Sequence, residues 1–440
     1  MNGKGIAFRV KVIVVAVVIV VAAIVGALAY IYMAPKMEEE VRIGNIVSLT
    51  GVLSAWGQPG SWAMRKCVED INKLGGITVG GRKLLIKFIE YDDSSDPTKA
   101  TALAEQAIFQ DKVHILTTPG APPPTVIPIS LVADKNKIPY ISGCMFEGWW
   151  ASGPYKYAWS IGLLLLTPAP EGDFRAGKPG YQALINYRDI TNKVRNQITG
   201  RIALFCPDDA GGRTTYELAS KVAQEAGFTV VGLEKRLGLY TLGTMDYTAI
   251  IREWMEAGAD VLWGESNAPD FATMWRQAHA LGWKPKMVMD GRAFKQYGDV
   301  EAMGKLAQGV IDPYNVWNPY RPYTGHYSGR TNMQLAEAAE TELGRPWTDT
   351  MSAYSFIEAI CQAIELAGSL DPEKINDAIP KIDFITNMGR FKFIPEFHFA
   401  AMLLDVGQWL IDEQGNLKWE LVWSADPNVK PTHELVFPLP

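Results

Sequence analysis

The chain has 440 residues, 48% hydrophobic and 20% charged, with 40 glycines and 27 prolines, which excludes wholesale disorder and exceeds the usual size of one hydrophobic core. Two lobes of roughly 150–200 residues each are expected. The formal charge of −6 is mild, and with no Lys/Arg cluster beyond the extreme N-terminus there is nothing to track a phosphate backbone, so nucleic acid is excluded as a partner.

Lys4, Arg9 and Lys11 precede an uncharged run from Val12 to Pro35. At 1.5 Å per residue that run reaches about 36 Å, enough to cross a bilayer core. Residues 1–11 then form a basic cytoplasmic tip, 12–35 a transmembrane anchor or uncleaved signal, and 36–40 a spacer, with everything beyond facing outside. Ala27-Leu28-Ala29 fits a small-x-small cleavage site, but the run is longer than a signal h-region and favours a retained anchor. No cysteine near its end could carry a lipid. The expected location is the extracellular face of the cell membrane, or the periplasm.

From Val41 the order is strand, loop, helix. Val41–Val47 reads as a strand ending in the turn Ser48-Leu49-Thr50-Gly51, and apolar residues recur at helical spacing from Gly60 to Leu74, stopped by Gly75-Gly76. Leu84–Tyr91 reads as a strand, then a helix opens at Asp96-Pro97, with Asp96 as N-cap, and runs to about Gln110. Val113–Leu116 and Ile138–Ser142 are strands flanking a helix over Thr125–Asn136. Leu166–Pro179, rich in proline and glycine, reads as an inserted loop.

A second series starts near Arg201. Strands are expected at Ile202–Cys206, Thr229–Leu233, Ala259–Gly264 and Lys286–Met289, with helices at Thr214–Ala226, Tyr247–Ala257 and Asp270–Leu281. Alternation of short apolar strands with helices means parallel sheets covered on both faces, hence an α/β fold of two doubly wound lobes. Cys67, Cys144, Cys206 and Cys361 lie far apart without a CxxC pair, which argues against a zinc knuckle or a dithiol site and for buried thiols over two disulfides.

Catalytic signatures are missing from the sequence: no GxGxxG after a strand, no GxxxxGK[ST] and no GxSxG elbow. His114, His279, His326, His398 and His433 show no metal spacing. The carboxylate pairs Asp92-Asp93 and Asp208-Asp209 sit at strand ends, where helix capping and turns explain them better than acid–base work. No enzyme activity, cofactor or metal is expected.

From residue 41 the chain carries, in order, Ile43-Gly44, Leu49-Thr50-Gly51, Trp56-Gly57, Asp70-Ile71-Asn72 with Gly75-Gly76, Gly81-Arg82-Lys83, Tyr91-Asp92-Asp93, Asp96-Pro97-Thr98-Lys99-Ala100, and Ile138-Pro139-Tyr140-Ile141-Ser142. Later come Arg276-Gln277-Ala278, Leu281-Gly282 and Ala367-Gly368-Ser369-Leu370-Asp371-Pro372. In these pieces and their order the sequence is similar to the branched-chain amino acid (Leu/Ile/Val-type) solute-binding proteins of ABC transporters, with the type I periplasmic binding fold. The resemblance implies two lobes, 41–158 plus 320–392 and 159–319 plus 393–440. It implies three hinge crossings, near Tyr157–Ile161, Val316–Pro322 and Arg390–Pro395. It also implies a small-molecule solute held between the lobes and delivered to membrane permease subunits.

Ligands of doubly wound sheets lie at the carboxyl ends of strands, which selects the same loops as the resemblance does. Trp56 matches an aromatic that lines the family's pocket. Pro122 or Pro123, in the loop Thr118–Thr125, falls where relatives offer a hydroxyl to the ligand carboxylate, and in the loop Gly143-Cys144-Met145-Phe146, Phe146 replaces a second such hydroxyl. Ala210 and Asn267 (or Ala268) occupy frequent tyrosine positions. Asp290 falls on the acidic residue that holds the amino group, with Glu265 and Ser266 as secondary candidates. Trp149 and Trp150 either join the cleft or pack under the inserted loop, while Trp263 reads as core.

Such a cleft keeps the amine-binding acid but loses the carboxylate-binding hydroxyls, which suits a less polar or cationic solute, since aromatic faces attract ammonium groups. The expected function is capture of a small amino-acid-like or amide/aromatic solute for an importer. The rival reading, an anchored sensor using the same clamp, is disfavoured because Phe437-Pro438-Leu439-Pro440 ends the chain without a kinase or second membrane segment.

Overall fold

In the computed structural model, β1 (Val41–Val47) carries almost wholly buried side chains on both faces, as a strand between parallel neighbours must. The structure describes residues 40–121, 123–144, 153–162, 182–295 and 297–440. The expected anchor at 12–35 and the inserted loop at Leu166–Pro179 lie outside them. Among the described residues no helix is long and apolar enough to cross a membrane. Val41–Pro440 forms one unit.

The first lobe continues through α1 (Ser54–Lys73), the hairpin β2 (Ile77–Val79) and β3 (Arg82–Leu84), β4 (Ile86–Asp92), α2 (Pro97–Phe109), β5 (Ile115–Ala121), α3 (Pro123–Asn136), β6 (Tyr140–Cys144) and β7 (Ala158–Gly162). Gly76 is required where α1 turns into the hairpin. Its φ is +79° and a Cβ there would lie 1.9 Å from the Leu84 carbonyl oxygen. Asp96 caps α2, accepting hydrogen bonds from the Thr98 and Lys99 amides, and Pro97 costs nothing in a first turn that has no intrahelical partner for its nitrogen.

The second lobe holds α4 (Gln182–Lys193), β8 (Arg201–Pro207), α5 (Ala210–Glu225), β9 (Thr229–Val230), β10 (Leu239–Tyr240), α6 (Thr248–Glu256), β11 (Val261–Gly264), α7 (Ala268–Ala280), β12 (Met287–Asp290), α8 (Tyr297–Met303) and β13 (Ile311–Asn315). The chain then returns to the first lobe with α9 (Asn332–Leu343), α10 (Ala353–Ala367), α11 (Pro372–Ala378), β14 (Asp383–Thr386), β15 (Gly389–Ile394) and β16 (Phe399–Ala401). It closes on the second with β17 (Asp405–Ile411) and β18 (Leu417–Ser424).

Two eight-stranded sheets result, β14-β15-β16-β7-β6-β5-β1-β4 and β10-β8-β11-β12-β13-β17-β18 with β9 beside β8. The inner strands are parallel as expected, but β14–β15, β15–β16, β13–β17 and β17–β18 pair antiparallel, so the sheets are mixed at one edge. Of the passages between sheets, the first two fall near the expected positions and the last does not. Tyr157–Ile161 runs into β7, which pairs with β6 and β16, so the chain leaves the first sheet only after Gly162. Arg390–Pro395 lies in β15, and the last passage falls between β16 and β17. The middle passage follows β13, where Val316–Pro322 was expected to cross.

The interior is rich in aromatics, with Trp254, Trp263, Trp275 and Trp317 fully buried, and Trp263 is core as its sequence position indicated. All four cysteines are buried and none forms a disulfide.

Candidate ligand site at the strand ends

On the second lobe the chemistry gathers where β11 and β12 end side by side, Gly264 opposite Asp290. A Cβ on Gly264 would lie 2.2 Å from Asp290 Oδ2, so only glycine lets that carboxylate lie across its neighbour. Asp290 is fully buried. It accepts hydrogen bonds from the Ser266 hydroxyl (2.6 Å), the Ser266 amide and the amides of Arg292 and Ala293. Burial pushes its carboxyl up to about 7, which those four donors only partly resist. Glu265 beside it is buried too and rises to about 7, through burial and then the nearby Asp290 charge. The Tyr314 hydroxyl donates to Glu265 Oε1, and Glu265 Oε2 has no hydrogen-bond partner.

On the first lobe, β1 and β4 end in a network of small polar groups. Asp92 accepts from the Leu49, Thr50 and Ser94 amides and the Thr50 hydroxyl; against the cost of burial, these hold its carboxyl down to about 2. Ser48 donates to Asp93 at 2.6 Å. Asp209 caps α5 by accepting from the Gly212 amide at 2.7 Å, and Arg213 pairs with Asp208. Both carboxylate pairs thus serve turns and caps, as the sequence indicated.

The loop expected at Thr118–Thr125 is instead mostly regular structure. β5 runs to Ala121, with a register shift against β6 between Thr118 and Ala121, and α3 starts at Pro123. Pro122 lies outside the described residues, and Pro123 takes the first position of α3. Thr125, just beyond, is buried with its hydroxyl unpartnered. Cys144 is buried at the end of β6, whereas Met145, Phe146, Trp149 and Trp150 lie outside the described residues. Trp56 is half-buried in the first turn of α1. Ala210 opens α5, and Asn267 is the N-cap of α7, accepting no capping bond with its side chain while its amide meets the Tyr240 hydroxyl.

Sequence reasoning missed a further set. Lys295, five residues beyond Asp290, is buried against Asp312 Oδ1 at 2.6 Å and the Tyr314 carbonyl, with its ammonium 4.2 Å from the Tyr314 ring centre. Asp349, in the short turn of helix ahead of α10 that packs on α1, reaches Lys295 from the other lobe at 3.8 Å. Lys295, Asp312 and Asp349 line a cavity of about 310 Å³ with Trp347, Trp419 and Tyr320. Neither this cavity nor the surface groove along α1 and α9 is lined by Trp56 or Asp290.

Two doubly wound lobes with strand-end loops turned on each other define a type I binding clamp. A family model described as periplasmic binding protein matches residues 40–416, and the chain belongs to that family. Leu/Ile/Val-binding protein homolog 3 of Brucella melitensis is 25% identical over 347 residues, 78% of this chain and 83% of that one. Among solved structures, the leucine-, isoleucine-, valine-, threonine- and alanine-binding protein of Brucella ovis in a closed conformation matches with a TM-score of 0.69 at 18% identity, over 90% of this chain and 98% of that one. A solute-binding protein of an ABC transporter from Rhodopseudomonas palustris, in complex with 3,4-dihydroxy benzoic acid, matches with a TM-score of 0.63 at 19% identity, over 89% and 99%.

Proposed function

We propose that this chain is the solute-binding component of an ABC-type importer. It captures a small amino-acid-like or amide/aromatic solute between its lobes and hands it to permease subunits, held at the outer face of the membrane by residues 12–35. The observation that carries the reading is the meeting of Asp349 from one lobe with Lys295 from the other, beside the buried carboxylates at the ends of β11 and β12. Family kinship with proteins named for leucine, isoleucine and valine supports it, and the neighbour bound to an aromatic acid widens the solute class beyond amino acids.

Trp56, Pro122, Pro123, Cys144, Met145, Phe146, Ala210, Asn267 and Asp290 are the proposed ligand-contacting positions. Closure is hinge motion: a solute that touches both lobes stabilises the shut state by its differential affinity, and no covalent step is involved. The passages after β7, β13 and β16 are the proposed hinges. The test is a thermal-shift screen of residues 37–440 against amino acids, aromatic acids, amines and amides. A true solute at 100 times its Kd adds about 2.7 kcal/mol to stability, and a screen in which no compound in those four classes raises the melting temperature rejects the reading.

A further inference from the structure

Five buried ionisable side chains share the region where the lobes face each other: Glu265, Asp290, Asp312 and Lys295 from the second lobe, and Asp349 from the first. Lys295 is the one buried cation of this group. The Arg292 guanidinium, which also bears on Glu265, is half-buried and lies 3.6 Å from Asp209. The Lys295 ammonium is engaged by Asp312 and the Tyr314 carbonyl, and its 3.8 Å approach to Asp349 is too long for a hydrogen bond. Four carboxylates against one buried ammonium leave an excess of negative charge, which is costly unless protons or a ligand supply the balance; at the cavity lining Glu340 and Lys418 add one charge of each sign.

Two oxygens mark where compensation is missing. Asp349 Oδ1 and Glu265 Oε2 are buried without a hydrogen-bond partner, one from each lobe. Asp349 is only 4% exposed and lines the 310 Å³ cavity with Asp312 and Lys295, walled by Trp347, Trp419 and Tyr320. That volume is at the small end of ligand pockets. Among the described residues no group of three or more acidic, histidine or cysteine side chains is set to hold a metal ion, whereas indole and phenol faces beside a carboxylate suit an organic cation.

Resting on the importer reading, we propose that this cavity receives the ammonium group of an organic amine, held by Asp349 and the surrounding rings, so that the clamp's solutes are amines of net positive charge. Asp349 is then a specificity-determining residue, and the shared grip of Asp349 and the second lobe on one cation couples capture to closure.

The experiment is calorimetric titration of residues 37–440 at pH 8 with two cations, phenethylamine and putrescine, the zwitterion phenylalanine and the anion phenylacetate. At least one cation is expected to bind and phenylacetate is not. Asp349→Asn keeps the shape of the side chain, and is expected to weaken the bound amine at least ten-fold while raising the ligand-free melting temperature, because it removes an unbalanced charge. Binding of phenylalanine or phenylacetate without either cation overturns the inference and leaves the solute-binding reading standing. An Asp349→Asn variant that binds the amine within two-fold of the parent also overturns it. If none of the four binds, the inference falls, and the four-class screen alone then decides the importer reading.

Discussion

At the scale of single residues, Asp290 and Glu265 put two acids into one dry corner, and pH exposes the cost. Both carboxyls are raised to about 7, well above the ordinary carboxylate value near 4. The folded protein therefore holds more protons than the unfolded chain between these limits, and stability falls as pH rises from about 4.5 through 7. The groups facing the pair are Ser266, Tyr314, Arg292 and Lys295, with the Asp312 charge nearby, and neither Arg292 nor Lys295 cancels the trend. Differential scanning calorimetry of the ligand-free protein should give a lower melting temperature at pH 8 than at pH 5.5, and Glu265→Gln should flatten that slope; an unchanged slope would remove Glu265 from the account. Gly264→Ala tests the same corner sterically. With its Cβ 2.2 Å from Asp290 Oδ2, the variant should lose about 1–3 kcal/mol in urea denaturation, the usual cost of forcing atoms into a packed interior. The place of Asp290 at a strand end was legible in the sequence. Lys295 and Asp349 were not, since they meet only across the lobes and neither sits in a motif.

At the scale of elements, local signals served best where one residue does one job. Asp96 accepts from two amides at the start of α2, and Asp96-Pro97 announced that helix to within one residue at each end. Asp96→Ala should cost about 1 kcal/mol, seen as a lower urea midpoint with an unchanged slope. Periodicity failed where backbone geometry replaced side-chain pattern. α1 starts at Ser54 instead of Gly60 because Gly57 and Gly60 allow close approach: a Cβ on Gly57 would lie 2.1 Å from the Ser48 carbonyl oxygen, and one on Gly60 2.6 Å from the Pro119 side chain. Glycines and Pro59 in its first two turns hide a helix whose purpose there is contact with β1 and β5. The strands β14 to β18, which bring in the antiparallel pairings, escaped for another reason. They follow a βα alternation that sets the expectation of parallel pairing, and their register depends on partners from distant segments, β13 for β17 and β7 for β16.

At the scale of the molecule, the connection between lobes is knotted by one buried ion pair. Arg321, in the passage after β13, meets Asp405, the first residue of β17, at 2.7 Å with both side chains fully buried. The same guanidinium donates to the carbonyls of Met388, in the β14–β15 turn, and Leu403, in the last passage. Asp405 also accepts from Asn318 (2.6 Å) and Ser424, so two of the three passages are tied to each other and to a first-lobe turn. A carboxylate buried with its guanidinium removed keeps its desolvation cost and loses its compensation, so Arg321→Met should lose about 3–5 kcal/mol in equilibrium denaturation. Pairing it with Asp405→Asn, which removes the stranded charge, keeps one acceptor oxygen for Asn318 and turns its amide nitrogen to the Ser424 hydroxyl as a donor, should recover part of that loss. A single-variant loss under about 1 kcal/mol would mean that the passages are held by packing of Trp317 against Trp347, and Trp347 against Trp419, instead of by charge. In that case truncating Trp347, which packs on the apolar cluster shared by the two lobes and on a second cluster within the second lobe, would become the larger perturbation, because the same ring also walls the cavity proposed to take the cation.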